Sequence, residues 1–150
     1  MGGSEFRSGE PWARALPVWL AALWWGSLTT LGFFVVPMLF ASLPTPAMAG
    51  NMAARLFSVQ TAISAACGLA ILLMFGSKRP LVRENTAQSA TLFVVGGVLL
   101  ALLVEFGIAP RIVARENLAL WHGLGSVMYL GQWLCAGVVL GKLSNAKSLN

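Results

Sequence analysis

The sequence predicts an all-α integral membrane protein: a bundle of four transmembrane helices with both termini in the cytoplasm. Three observations predict it. Of the 150 residues, 57% are hydrophobic and only 10% are charged, against roughly 25% charged in a soluble domain. Four apolar runs follow one another along the chain, each near or beyond the about 20 residues that cross a bilayer. The excess of basic residues, ten against five acidic, is spread beside those runs as membrane-orienting charges are. That placement argues for a lipid bilayer as the partner and against nucleic acid.

Taken in order, residues 1–10 read as a disordered N-terminus of cloning-linker origin, since Gly3-Ser4-Glu5-Phe6 is what a restriction site encodes. The membrane domain is expected over 11–142, with helices at about 15–43, 47–75, 87–108 and 117–140, and a polar tail over 143–150. Pro37 lies inside the first helix. It has no N–H for the Phe33 carbonyl, so a kink is expected there. The apolar core of that helix is too long for a signal peptide despite Ala47-Met48-Ala49. Pro44-Thr45-Pro46 forms a tight turn in which Thr45 suits an N-cap and Pro46 the first helical position.

Asn85 or Thr86 can cap the third helix, and Pro110 is expected to end it. Gly96-Gly97 there, with Gly123, Gly125, Gly137 and Gly141 in the fourth helix, allow helices to approach closely, within one bundle or in a homo-oligomer or with a membrane partner. Orientation follows the positive-inside rule. Arg7, Arg14, Lys78, Arg79, Arg83, Lys142 and Lys147 lie on one side, and Arg55, Arg111 and Arg115 on the other. Cys67 and Cys135 read as two thiols inside the spans and not as a disulfide framework.

The candidate site is polar. Leu118 to Trp133 carries the one histidine, and at helical spacing His122, Gly125, Ser126, Tyr129 and Trp133 form one stripe. Arg55 lies about 13 Å past Pro46, and Glu105 and His122 about 8–9 Å from their turn, at 1.5 Å per residue. An isolated charge at such depth is costly. An Arg55–Glu105 ion pair completed by His122, Gln60 or Ser126, with Asn51 and Tyr129 nearby, is the economical arrangement. Such a cluster is either a clasp that fixes helix packing or the lining of an extracytoplasmic pocket. Met38, Met48 and Met52 with His122 are weak candidates for Cu(I), whose taste is for thioether and imidazole. A haem site with a single histidine ligand is a further alternative. The sequence requires no cofactor. Phosphate loops, paired carboxylates and nucleophile–base motifs are absent, which is thin material for an enzyme.

Trp25-Gly26-Ser27, Val36-Pro37-Met38-Leu39-Phe40, Ala49-Gly50-Asn51-Met52-Ala53-Ala54-Arg55-Leu56-Phe57 and His122-Gly123-Leu124-Gly125-Ser126-Val127-Met128-Tyr129-Leu130 resemble the small four-helix membrane proteins related to eukaryotic transmembrane protein 205. The bacterial members of that family are catalogued as a domain of unknown function. The likeness covers about residues 16–142 and is least distinctive in the third helix. It implies four helices and a bacterial inner-membrane location. It also carries a hint of transport, because the eukaryotic relatives are linked to tolerance of platinum drugs. The shared positions are Pro37, Phe40, Gly50, Arg55, Phe57, His122, Gly123 and Ser126.

The leading expectation is therefore a protein that handles a small solute or ion through a polar pocket on the extracytoplasmic side. The rival is a structural or assembly partner in a membrane complex, and the third a haem- or metal-dependent membrane protein. A wet cavity reaching His122 favours the first. A sealed, bonded cluster favours the second.

Overall fold

The structure is a computed structural model and describes residues 11–77, 82 and 84–148. The linker-like residues 1–10, and Lys78, Arg79 and Arg83 of the orientation count, lie outside the described residues. The described chain is all helix and turn. α1 (Pro11–Thr30) passes through a π-turn (Leu31–Val35) into α2 (Val36–Ser42), and α3 (Pro46–Phe75) follows. α4 (Glu84–Leu103) passes through a second π-turn (Val104–Ile108) into α5 (Ala109–Val113), and α6 (Leu118–Ser148) completes the described chain. Helices suit these segments because lipid offers backbone groups no partner. Four stretches are long and apolar enough to span: Ala15–Ser42, Pro46–Phe75, Glu84–Val113 and Leu118–Ala146.

Local chemistry sets the boundaries. Thr45 caps α3 by accepting the Met48 N–H at 3.3 Å, with Pro46 in the first turn. In the second turn, Arg115 and Asn117 take positive φ of 58° and 28°, a conformation asparagine tolerates well. Asn117 Oδ1 then accepts the Leu120 N–H at 3.5 Å. Pro110 does not end the third span. The ladder widens to i→i−5 just before it, so Ala109 N–H bonds Val104 O, and helix continues to Val113. Pro37 is accommodated the same way, with Val36 N–H on Leu31 O. The fourth helix also runs past residue 140, to Ser148.

The spans form a ring. α1 packs on α3 and α6, and α4 packs on the same two, so α1 and α4 face each other diagonally, as do α3 and α6. The core lies between them: Ala21, Trp24 and Leu28 of α1, Cys67 and Ile71 of α3, Val94 of α4, and Ala136, Val139 and Leu143 of α6.

This ring is a hairpin used twice. Pro110 follows Pro37 by 73 residues, and the π-turns before them follow at the same interval. At that interval Pro17, Ala21, Trp24 and Leu28 fall on Ala90, Val94, Gly97 and Ala101, all buried. For the return helices the interval is 72: Gln60, Ser64, Cys67 and Ile71 fall on Gln132, Ala136, Val139 and Leu143, again all buried. Both hairpins run the same way, so the pseudo-two-fold axis lies along the bundle. Related residues meet across it. A Cβ on Gly97 would lie 2.8 Å from Trp24 Cη2, so the indole occupies the space its counterpart leaves vacant.

Candidate functional site

The polar groups separate into three places. The first is a buried network on the bundle axis. Gln60 Nε2 donates to Ser27 Oγ at 3.0 Å and to Ser64 Oγ at 3.4 Å, and Gln132 Nε2 donates to Ser64 Oγ at 2.8 Å. Ser64 Oγ in turn donates to Gln60 O at 2.9 Å, and Ser27 Oγ to Trp24 O. Gln60, Ser64 and Gln132 are 5%, 0% and 3% exposed. Three helices, α1, α3 and α6, are tied by neutral groups with no charge to desolvate. Gln60 and Gln132 are the pseudo-symmetric pair, and one serine hydroxyl serves both. Among the described residues Trp24 Nε1 is the one fully buried side-chain N or O atom left without a bond.

The second place lies one layer nearer the short turns. Tyr129 Oη donates to Leu28 O at 2.7 Å, and its ring lies against Gly32. In an α-helix that carbonyl is the acceptor for the Gly32 N–H. The tyrosine hydroxyl thus reaches the helix ladder just before the first π-turn, and such side-chain insertion is one of the recognised causes of helix distortion. Only glycine fits here, since a Cβ on Gly32 would lie 2.5 Å from Tyr129 Cε1. Phe57 meets the Tyr129 ring edge-on at 5.3 Å, and Trp133 Nε1 donates to Thr29 Oγ1 at 2.8 Å.

The third place is the outside of the bundle at the same end. Ser58 Oγ donates to Glu105 Oε1 at 2.7 Å, with the carboxylate standing in the second π-turn. The Arg55–Glu105 ion pair expected from their depths does not form, and Ser58 takes the place the guanidinium was to fill. Arg55 and Asn51 are exposed on the same face of α3. His122 and Ser126 are exposed on α6, where Ser126 Oγ bonds back to His122 O at 2.8 Å. The structure therefore brings Gln60 and Tyr129 inward and leaves Asn51, Arg55, His122 and Ser126 outside. Met38, Met48 and Met52 are exposed as well. Among the described residues no three of His, Cys, Asp or Glu come together to hold a metal ion. Cys67 and Cys135 are free.

The glycines divide similarly. Gly97 packs against Trp24 and Cys135, Gly96 against Cys135, Gly137 against Trp25 and Gly125 against Ile108, whereas Gly123 and Gly141 face open space. An open cleft of about 550 Å³ lies at the far end of the bundle, between the end of α3 and the start of α4, bordered by Phe75, Ser77, Val82, Gln88 and Thr91. It is remote from Glu105 and His122.

Three participants in the buried network escaped sequence reading, Ser27, Ser64 and Gln132, as did Ser58 beside Glu105. Gln132 sits about 100° around the helix from the His122–Tyr129 stripe. The signal that points to it is its 72-residue spacing from Gln60.

No curated protein and no solved structure matches this chain. A family model described as a domain of unknown function, DUF4149, matches residues 19–120. That stretch takes in α1 from Trp19, α2 to α5, both π-turns and the start of α6, and so most of the bundle described above. The chain is thus a four-span membrane protein belonging to the DUF4149 family, a domain of unknown function.

Proposed function

We propose that this protein is a structural or assembly partner in a membrane complex, whose buried polar cluster fixes helix packing. The observation that supports this most is the Gln60–Ser64–Gln132 network, buried and closed on itself at the bundle axis. In lipid, burying apolar surface does not drive helices together. Packing and interhelical hydrogen bonds do that work, and each bond contributes on average about 0.6 kcal/mol, at most about 1.7. Neutral carboxamides and hydroxyls fit a clasp of this kind. The positive-inside balance supports both termini being cytoplasmic, whereas a bacterial inner membrane and the kinship to transmembrane protein 205 rest on the motifs already quoted.

Gln132→Leu tests the clasp. It removes the donor that serves Ser64 and is expected to lower the stability of the purified protein in micelles by about 0.6–1.7 kcal/mol. Denaturation followed by tryptophan fluorescence reads the change. Unaltered stability in both Gln132→Leu and Gln60→Leu would remove the proposal.

A second reading, the handling of a small solute or ion, is favoured by Glu105. A half-buried carboxylate in a π-turn of a transmembrane span is a functional candidate by default. Solute-dependent stabilisation that disappears in Glu105→Gln would establish that reading over the first.

A further inference from the structure

The two halves of the bundle give an internal control on what packing alone demands. Asn51, Arg55 and Ser58 are spaced by four and three residues, so they share one face of α3. All three are exposed, and Ser58 places that face beside Glu105. The counterparts in the other hairpin, 72 residues on for the return helix and 73 for Glu105, are Gly123, Val127, Leu130 and Gly32. The four equivalent positions of the same fold therefore carry no hydrogen-bonding side chain. Nothing in the hairpin's own packing requires a guanidinium, a carboxamide and a carboxylate there. Among the described residues Arg55 forms no ion pair, while Glu105 has only the Ser58 hydroxyl.

Depth and charge say what covers this face. Arg55 lies nine residues past Pro46 and Glu105 eight before Val113, about 13 and 12 Å along their helices at 1.5 Å per residue. The polar stripe extends inward over about 10 Å from Asn51 to Ser58. It bears one cation and one anion at matching depth, side by side. A two-fold axis along the membrane normal brings the cation of one copy onto the anion of another, twice, which is the self-complementarity that isologous interfaces require.

We infer that two copies of this chain associate through the Asn51–Arg55–Ser58 face and Glu105, with Arg55 of each copy paired to Glu105 of the other. This rests on the assembly reading and gives it a partner. The exposed Phe106, one residue past Glu105, and Val59, one past Ser58, supply apolar contact beside the charges. Arg111 is not available to compete. It donates to Gly107 O at 3.0 Å and lies 4.5 Å over the Trp121 ring.

A charge-swap experiment on the full chain tests this. Wild type in nanodiscs or detergent is expected to give a dimer by light scattering and native mass spectrometry. Arg55→Glu and Glu105→Arg each set like charges together at both contacts, and each is expected to weaken the dimer about a hundredfold or more. Mixing the two variants regenerates opposite charges at both contacts, so a heterodimer returns. Val127→Asn, at the counterpart of Arg55, leaves the dimer intact. Circular dichroism checks folding, and if a reversal fails to fold, Arg55→Gln and Glu105→Gln take its place. A monomeric wild type, with or without bound lipid, overturns the inference. So do single variants that dimerise normally, or a mixture that stays monomeric. A monomer still destabilised by Gln132→Leu ends the dimer and spares the clasp, whereas an intact dimer indifferent to Gln132→Leu does the reverse.

Discussion

Trp24→Ala destabilises this bundle more than any other single truncation, while Trp24→Phe costs little. The indole is completely buried and is the largest such side chain in the core. It fills the hollow left by Gly97 on the diagonal helix. Phe/Trp→Ala costs about 3–5 kcal/mol in a water-soluble core, including transfer from water. Between helices already in lipid that transfer component is largely missing, so about 2–4 kcal/mol, mostly lost contact and cavity, is expected here. Trp24→Phe keeps most of the volume and sacrifices no bond, because Trp24 Nε1 has no partner among the described residues. It should stay within about 1.5 kcal/mol. Gly97→Ala pushes a methyl into the same ring and costs about 1–3 kcal/mol. Combined with Trp24→Phe, much of that cost should vanish, since the two residues share one space. Detergent unfolding monitored by circular dichroism gives all four values. Equal costs for Phe and Ala at position 24 would contradict the packing assigned to the indole.

Gly32→Ala is the second large effect. The added methyl meets the Tyr129 ring at 2.5 Å. The ring cannot simply withdraw, being held by the bond to Leu28 O and by the edge of Phe57. Overpacking of about 1–3 kcal/mol adds to the lost Tyr129 bond, at most about 1.7 kcal/mol in a membrane. Tyr129→Phe alone removes only the bond and should cost no more than that. The sign reverses once the ring is gone. In a Tyr129→Ala background, Gly32→Ala should stabilise by about 0.5–1 kcal/mol, because alanine is the better helix former. Hydrogen exchange at residues 29–36 should accelerate in Gly32→Ala and in Tyr129→Phe, and in neither case at the Gln60–Gln132 layer. A Gly32→Ala protein as stable as wild type would show that the tyrosine does not occupy the helix ladder.

Much of the architecture was legible because lipid enforces it. Apolar length gave the four spans, and the Thr45-Pro46 pair gave the start of α3. Pro110 misled in a specific way. Pro37 and Pro110 forbid a normal i→i−4 bond, and sequence offers kink or termination as the obvious responses. Both helices widen by one residue, a distortion that itself accompanies kinks, which rotates everything beyond the π-turn and carries the third span past Pro110 to Val113. Depth could be counted from the turns, and Ser58, three residues past Arg55, is the residue of α3 that meets Glu105. Which way each faces depends on how adjacent helices are rotated, and that rotation is set by Trp24 against Gly97 and Tyr129 against Gly32. Those are contacts between residues 73 and 97 positions apart, and no local pattern encodes them. The 72- and 73-residue spacing is in the sequence, but one polar pair and one proline pair stand out from it only once burial shows which positions correspond.

The central claim is that the carboxamides of Gln60 and Gln132 are sealed in the bundle as a packing clasp. Deuterium exchange of those two side-chain NH₂ groups, followed by solid-state NMR in lipid bilayers, measures this directly. The account predicts protection comparable to the backbone amides of the same helical turns. Exchange as fast as that of an exposed surface glutamine would reveal a water path to the axis, and the clasp would have to be given up for a solute-accessible site.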